Sequence, residues 1–200
     1  MKKIILLLTF LTSIFSFSQS ATEFNDSGVE KGKLQDFLGA IADFNKAIEI
    51  NPTFTSAYYN RGLAKAKIQD LYGSISDFSK TIELNNKYYE SYYNRGLCKF
   101  LLNDYRGAIS DYTQEINNYP NDKKTYYNRG IARYNIDDYQ NSISDFNSAL
   151  AIDPKYAKAL FNRGIVFKKL NQIDSACIDW NKAWELGDVG AYELIKKICN

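Results

Sequence analysis

The stretch Tyr58-Tyr59-Asn60-Arg61-Gly62 decides the fold of this chain, because it returns at a fixed interval. It recurs as Tyr92-Tyr93-Asn94-Arg95-Gly96, as Tyr126-Tyr127-Asn128-Arg129-Gly130, and in altered form as Leu160-Phe161-Asn162-Arg163-Gly164. Successive copies are 34 residues apart. A constant period of this length is typical of stacked supersecondary units, none of which can bury its apolar face alone. The chain is therefore predicted to be one array of repeats.

A second motif keeps the same interval and extends the array to five copies. It reads small, aliphatic, small, aspartate, aromatic in its first four copies: Ala40-Ile41-Ala42-Asp43-Phe44, Ser74-Ile75-Ser76-Asp77-Phe78, Ala108-Ile109-Ser110-Asp111-Tyr112 and Ser142-Ile143-Ser144-Asp145-Phe146. The fifth copy is Ala176-Cys177-Ile178-Asp179-Trp180. Together the two motifs resemble the tetratricopeptide repeat (TPR) family, whose units are helix–turn–helix modules of this length.

The resemblance implies an all-α fold, a right-handed α-solenoid of tandem helix–turn–helix units. The repeats are expected at about 21–54, 55–88, 89–122, 123–156 and 157–188, inside a domain that spans 19–200. The segment 189–199 has the place of a leading helix without a trailing partner, and it is predicted to be a C-terminal capping helix.

The first 18 residues are predicted to be a signal peptide. Two lysines precede an apolar run from Ile4 to Phe17, and Ser16 and Ser18 are the small residues expected before a cut at Gln19. The run of 14 residues is shorter than the roughly 20 that a membrane span needs. An exported protein is therefore predicted, periplasmic or extracellular in a bacterium and without membrane insertion after cleavage. An uncleaved anchor is the alternative.

Charge and residue types argue against two functional classes. The chain has 25 basic and 23 acidic residues, and loss of Lys2 and Lys3 would leave a neutral protein, so no nucleic-acid partner is expected. It has no histidine, and it shows no metal-ligand cluster, phosphate loop or nucleophile motif. The sequence thus predicts a protein that is not an enzyme and uses no metal or cofactor.

An aspartate and an arginine recur in register and can pair in two ways. Within a repeat, Asp77 would meet Arg61, and Asp43 would face Ser27. Between repeats, each aspartate would meet the arginine of the next unit, as in the pairs Asp43–Arg61, Asp77–Arg95, Asp111–Arg129, Asp145–Arg163 and Asp179–Lys197. The inter-repeat scheme is the one predicted, because it leaves no buried carboxylate without a cation. A ligand-binding role for the arginines is the functional alternative.

Two of the three cysteines are predicted to form a disulfide. Cys177 and Cys199 lie 11 residues before and after Asp188, where two antiparallel helices would join, so the two side chains would face each other. Two free thiols are the alternative. Cys98 stands where other repeats have Ala64, Ala132 and Val166, which indicates a small buried residue.

Resemblance to the family also implies a groove whose wall is made of leading helices. Carried over by position, the groove-facing residues are Tyr59, Asn60, Tyr93, Asn94, Tyr127, Asn128, Phe161 and Asn162. Asparagine offers a donor and an acceptor to a peptide backbone, and tyrosine offers a large contact area. The alternative is that these side chains serve helix packing.

The sequence therefore predicts a protein–protein interaction scaffold that binds an extended peptide or partner segment in the concave groove. The alternative is a structural component of a cell-envelope assembly, which would contact a folded partner through its convex face or its ends. The sequence names neither the partner nor the oligomeric state.

Overall fold

The computed structural model describes residues 20–199, so the predicted signal peptide at 1–18 lies outside the described part of the chain. Residues 20–199 form eleven α-helices and no β-strand. In chain order the helices are α1 (Ala21–Lys33), α2 (Phe37–Ile50), α3 (Thr55–Lys67), α4 (Leu71–Leu84), α5 (Ser91–Leu101), α6 (Tyr105–Asn118), α7 (Lys123–Tyr134), α8 (Tyr139–Ile152), α9 (Ala157–Lys169), α10 (Ile173–Glu185) and α11 (Val189–Ile198).

The first ten helices form five helix–turn–helix units, each with a leading and a trailing helix. Each leading helix packs most extensively on the trailing helix that follows it, and each trailing helix also packs on the next leading helix. Leading helices contact one another directly at α1–α3, α3–α5 and α7–α9, as expected for the inner wall of a curved array. The fold is thus the all-α right-handed α-solenoid that the sequence predicts, with α11 packed on its C-terminal end.

The turn inside each unit repeats one backbone geometry. The residue two places before each trailing helix has a left-handed φ of 58° to 65°, at Gln35, Gln69, Asn103, Asp137 and Asn171. In the first three units an aspartate follows and caps the trailing helix, as Asp70 does by accepting the N–H of Gly73 at 3.0 Å. A Cβ on Gly73 would lie 2.2 Å from that carboxylate, so this cap requires glycine. In the fourth unit Asn141 replaces the glycine, and its side-chain amide donates to Asp138 instead.

Each unit buries one aromatic ring between its two helices. The rings belong to Phe44, Phe78, Tyr112, Phe146 and Trp180, all on trailing helices. A Cβ on Gly62 would lie 3.0 Å from the Phe78 ring, so the glycine of the leading helix lets the ring approach its backbone. Ser74 reinforces the same contact, because its hydroxyl donates to the carbonyl of Gly62 at 2.8 Å. The repeated glycine and the repeated aromatic residue therefore form one packing contact.

The aspartate–arginine pairs form within repeats, so the inter-repeat prediction is wrong. Each arginine binds its own unit's aspartate with two nitrogens, in the pairs Arg61–Asp77, Arg95–Asp111, Arg129–Asp145 and Arg163–Asp179. Asp43 binds Ser27 and Lys31, both at 2.6 Å. Lys197 is exposed and forms no ion pair within residues 20–199.

The prediction failed because it assumed that Asp43 would otherwise be left without a cation. Lys31 supplies that cation from the next turn of α1, as Lys65 does for Asp77 and Lys99 does for Asp111. Burial alone would raise the pKa of Asp43, but the hydrogen bonds from Lys31 and Ser27 bring that pKa below its ordinary value.

The arginines do link neighbouring repeats, but through a neutral acceptor. Their remaining Nη1 atom donates to a polar side chain of the preceding trailing helix, two residues beyond that helix's aspartate. The pairs are Arg61–Asn45 at 2.7 Å, Arg95–Ser79 at 3.0 Å, Arg129–Thr113 at 3.0 Å and Arg163–Asn147 at 2.5 Å. One guanidinium thus joins three helices: its own leading helix and two trailing helices.

The C-terminal end is held by apolar packing and a covalent bond. Leu194, Ile195 and Ile198 of α11 pack on the cluster that contains Trp180. A disulfide joins Cys177 of α10 to Cys199, with 5.7 Å between the Cα atoms. These are the two cysteines that the sequence pairs, and Cys98 is free and buried.

Replacement of Asp111 by alanine is expected to lower the free energy of unfolding by about 3 kcal/mol, because Arg95 and Lys99 would lose their shared anion. Asp43→Ala is the matched control. It should cost clearly less, since the side chain of Lys31 is 39% exposed and water can replace its partner. Urea denaturation followed by circular dichroism measures both values, and equal losses would contradict this account.

Reduction of the disulfide is expected to lower the melting temperature and to loosen α11. The bond closes a loop with a sequence separation of 22, for which chain entropy predicts about 3 kcal/mol of stabilisation. Thermal unfolding with and without dithiothreitol measures the shift. Cys98→Ala should keep the reductant-dependent shift and Cys177→Ser should abolish it. A wild-type melting temperature that does not respond to reductant would contradict the prediction.

Candidate functional site

The eight predicted groove residues form a continuous strip along the leading helices α3, α5, α7 and α9. All eight are half-buried, so each has one face in the protein and one toward solvent. The structure brings them together through contacts between repeats, in which Asn94, Asn128 and Asn162 each reach the tyrosine of the preceding unit. We call this strip the ladder; it consists of Tyr59, Asn60, Tyr93, Asn94, Tyr127, Asn128, Phe161 and Asn162.

The ladder is built from hydrogen bonds between asparagine amides and tyrosine hydroxyls. Asn94 Nδ2 donates to the Tyr59 hydroxyl at 3.1 Å, and Asn128 donates to Tyr93 at 2.8 Å. Asn162 donates to Tyr127 at 3.0 Å in the same way. At the N-terminal end Asn60 donates to Asn25 Oδ1 at 3.0 Å. At the other end Phe161 has no hydroxyl, so the pattern stops there.

These bonds change the chemistry that the sequence suggests for the asparagines. Asn94 and Asn162 each use Nδ2 twice, with the second bond to the carbonyl of Glu90 or Lys158 at 2.9 Å. Among residues 20–199, no donor reaches the Oδ1 atoms of the four ladder asparagines. The asparagines therefore serve inter-repeat packing with their donors, and they leave a row of carbonyl oxygens as acceptors.

The ladder tyrosines supply the complementary groups. Burial raises the pKa of Tyr59, Tyr93 and Tyr127, although the asparagine hydrogen bonds act in the opposite direction. The hydroxyls therefore stay protonated at neutral pH. Each accepts from an asparagine, and within residues 20–199 none of the three donates its own proton to another group. The wall thus offers O–H donors beside C=O acceptors.

Two further tyrosines support the ladder, and they were missed at the level of sequence. Tyr88 packs on Tyr59 with ring centroids 5.0 Å apart, and Tyr156 packs on Tyr127 at 5.1 Å. Burial raises the pKa of Tyr156 to about 12, so this hydroxyl is also neutral at physiological pH. Tyr88 lies three residues before the start of α5 and Tyr156 directly before α9, and the two are two repeat lengths apart. That spacing is the signal that could have identified them.

A buried acid beneath the ladder was also missed. Glu115 of α6 is only 2% exposed, and it accepts the N–H groups of Glu90 and Tyr93 at 3.1 and 3.3 Å. It thereby caps the start of α5, where no side chain of the preceding loop does so. Burial raises the pKa of Glu115, against the effect of the two N–H groups. Other repeats have Ala47, Thr81, Ala149 or Ala183 at this position, so the glutamate stands out in the aligned sequence.

Residues 20–199 show no set of metal ligands and no membrane span. No group of three or more Cys, Asp or Glu side chains is arranged to hold a metal ion in this range. Within the same range, none of the helices combines the length and the apolar character needed to cross a membrane.

Three family models match separate stretches of the chain. A TPR repeat model matches residues 30–69, and tetratricopeptide repeat models match 90–122 and 124–156. A curated relative, the tetratricopeptide repeat protein 36 homolog of Nematostella vectensis, is 49% identical over 41 residues. That match covers 20% of this chain and 23% of the relative, so the chain matches less than a quarter of that protein's length.

Solved structures share the fold over most of its length. MamA 41-end from Desulfovibrio magneticus RS-1 is 18% identical with a TM-score of 0.79, over 83% of this chain and 94% of that one. YrrB, described as a TPR protein with an unusual peptide-binding site, is 19% identical with a TM-score of 0.79, over 89% and 92%. On the repeat matches and the shared architecture, the chain belongs to the tetratricopeptide repeat family, whose members are generally protein–protein interaction scaffolds rather than enzymes.

Proposed function

We propose that this scaffold binds an extended segment of a partner protein along the ladder. The observation that carries the proposal is the row of asparagine oxygens, of which those of Asn94, Asn128 and Asn162 are fixed in place by the tyrosine of the preceding repeat. An extended peptide presents alternating N–H and C=O groups, and the ladder offers C=O acceptors and O–H donors in return.

The rigidity of the ladder supports this proposal. Asn94 is held by two hydrogen bonds, and the Tyr59 ring beside it packs on Phe78 and Tyr88. Groups that are fixed before binding lose little conformational entropy when a ligand arrives, so more of the contact energy appears as affinity. Tyrosine adds contact area at a low entropy cost.

The proposed partner lies outside the cytoplasm. The basic start and apolar run of residues 1–18 are the sequence signal for export. The Cys177–Cys199 disulfide agrees with this location, since such bonds persist in oxidising compartments and are rare in the cytosol. The partner segment would then be periplasmic or extracellular.

Export predicts that the protein isolated from its native host begins near Gln19 and is recovered from the periplasmic or culture fraction. Mass spectrometry of the intact protein measures its N-terminus, and fractionation against a cytoplasmic marker measures its location. Recovery of the full-length chain with the cytoplasmic marker would count against export.

A pair of variants separates the binding role of the ladder from its structural role. Tyr93→Phe removes the acceptor of Asn128 and is expected to cost about 1 kcal/mol of stability, while the Asn128 oxygen stays available. Tyr93→Phe combined with Asn128→Leu removes both partners, so no orphaned amide remains and stability should be close to that of Tyr93→Phe or better. The double variant should bind peptide about tenfold more weakly than the single one, because it lacks the acceptor.

The binding measurement uses peptides selected from a random library on the wild-type protein, with affinities from fluorescence polarisation and stabilities from urea denaturation. Equal affinity of the single and double variants would contradict peptide recognition by the ladder. A natural partner that binds both variants as it binds the wild type would instead favour contact through the convex face or the ends.

A further inference from the structure

A cavity lies at the N-terminal end of the inner wall, in the first repeat. It has a volume of about 200 Å³, is open on one side, and lies between α1 and α3. Its walls are formed by Gly28, Val29, Gly32, Phe37, Phe44, Asn60, Leu63, Ala64 and Lys67. Asn60 belongs to the ladder, so the cavity adjoins the proposed peptide path.

The equivalent site one hundred and two residues later shows why the cavity exists. That site is lined by Ile131, Tyr134, Phe146, Asn162, Ile165 and Val166, which occupy the same repeat positions as Val29, Gly32, Phe44, Asn60, Leu63 and Ala64. Its volume is only about 20 Å³. The largest difference between the two sites is a tyrosine where the first repeat has Gly32.

In the third and fourth repeats the position of Gly32 holds an aromatic ring, whereas the second repeat has Ala66 and the fifth has Lys168. In the fourth repeat Tyr134 packs on Tyr139 with ring centroids 5.8 Å apart, and in the third repeat Phe100 packs on Tyr105 at 5.3 Å. In the first repeat the residue equivalent to Tyr139 is Phe37, which faces Gly32 instead of a ring. A Cβ placed on Gly32 would meet no atom within 4 Å, so the space beside it is open. Cavities of about 150 Å³ with apolar walls are large enough to bind benzene.

Two polar residues at the cavity, Asn60 and Lys67, indicate which ligand groups would bind beside the ring. Asn60 uses its amide on Asn25, and no donor among residues 20–199 reaches its Oδ1, which leaves an acceptor for a backbone N–H. Lys67 is exposed and forms no ion pair within that range. The lysine therefore provides a cation that a carboxylate beside the ring would complement.

We propose that this cavity, defined by Gly32, Phe37, Leu63 and Lys67, is a specificity pocket for an aromatic side chain that is followed by an acidic residue in the bound partner segment. The proposal rests on the proposed function, because it assumes that the segment lies along the ladder. In the bound state the ring occupies the place that Tyr134 fills in the fourth repeat. The backbone N–H of the aromatic residue donates to Asn60 Oδ1, and the acidic side chain pairs with Lys67.

The test uses a fluorescein-labelled peptide of glycine and serine that carries one Phe-Glu pair. Replacement of its Phe by Ala should weaken binding to the wild-type protein by about tenfold to a hundredfold, the effect of losing one buried ring. Replacement of its Glu by Lys should weaken binding several-fold at low salt. Equal affinities for all three peptides would overturn the proposal.

The protein variants fill or preserve the pocket. Gly32→Phe supplies the missing ring from the protein itself, so the Phe-Glu peptide should bind about tenfold to a hundredfold more weakly while the melting temperature is kept or raised. Gly32→Ala is the matched control, since it gains at least as much helix propensity and leaves the space open; its affinity should equal that of the wild type. Undiminished binding by Gly32→Phe would overturn the proposal.

Another occupant has its own signature and would overturn the proposal. If a second copy of this chain fills the pocket, the wild type self-associates in analytical ultracentrifugation and Gly32→Phe does not.

Failure of this proposal can be told apart from failure of the ladder proposal. Peptides that bind wild type and Gly32→Phe equally, but lose affinity for Tyr93→Phe/Asn128→Leu, would leave the ladder in place and exclude the pocket. Peptides with the opposite behaviour would support the pocket and exclude recognition by Tyr93 and Asn128 of the ladder.

Discussion

The structure depends on a guanidinium that joins three helices. In each of the last four units an arginine of the leading helix binds the aspartate of its own trailing helix and a neutral side chain of the preceding one. A planar group with five donors in a fixed fork is suited to this, because it can serve two acceptors in different directions. The contact fixes the distance within a unit and the register between units at the same time. The buried carboxylates, which water cannot reach, make that arrangement costly to disturb.

The ladder also combines two roles, packing between repeats and proposed binding. Its asparagine donors are used between repeats, and its asparagine oxygens accept no hydrogen bond from residues 20–199. The packing interpretation and the binding interpretation of these residues are therefore compatible, because they concern different atoms of one side chain. The row of acceptors is rigid because the donors beside them are engaged.

The sequence is sufficient to predict the architecture, because the fold follows from the periodicity and each repeat carries the same pattern. The Gly62–Phe78 contact and the proximity of Cys177 and Cys199 likewise follow from position. Contacts that depend on small differences in distance between side chains cannot be predicted from position in this way. Arg61 had candidate acceptors in two neighbouring helices, and only the structure shows that it binds Asp77 in one and the neutral Asn45 in the other.

The effect of a side chain that is missing from one repeat is equally hard to predict from the sequence. Gly32 looks like a weak point in a terminal helix, and its effect on the groove becomes visible only when the rings of Phe100 and Tyr134 are placed in space. Glu115 could have been noticed as an irregularity in the alignment, but its role as a cap depends on the left-handed backbone of Glu90.

The regular spacing of the ladder has a consequence for any long, flexible ligand. A wall that repeats itself offers the same contacts in several alignments, each displaced by one unit, and a bound chain could slide between them. Several equivalent alignments favour affinity, but they do not define a unique register for the bound chain. A site that departs from the repeat, such as the opening beside Gly32, is what a periodic surface needs in order to define where a bound sequence begins.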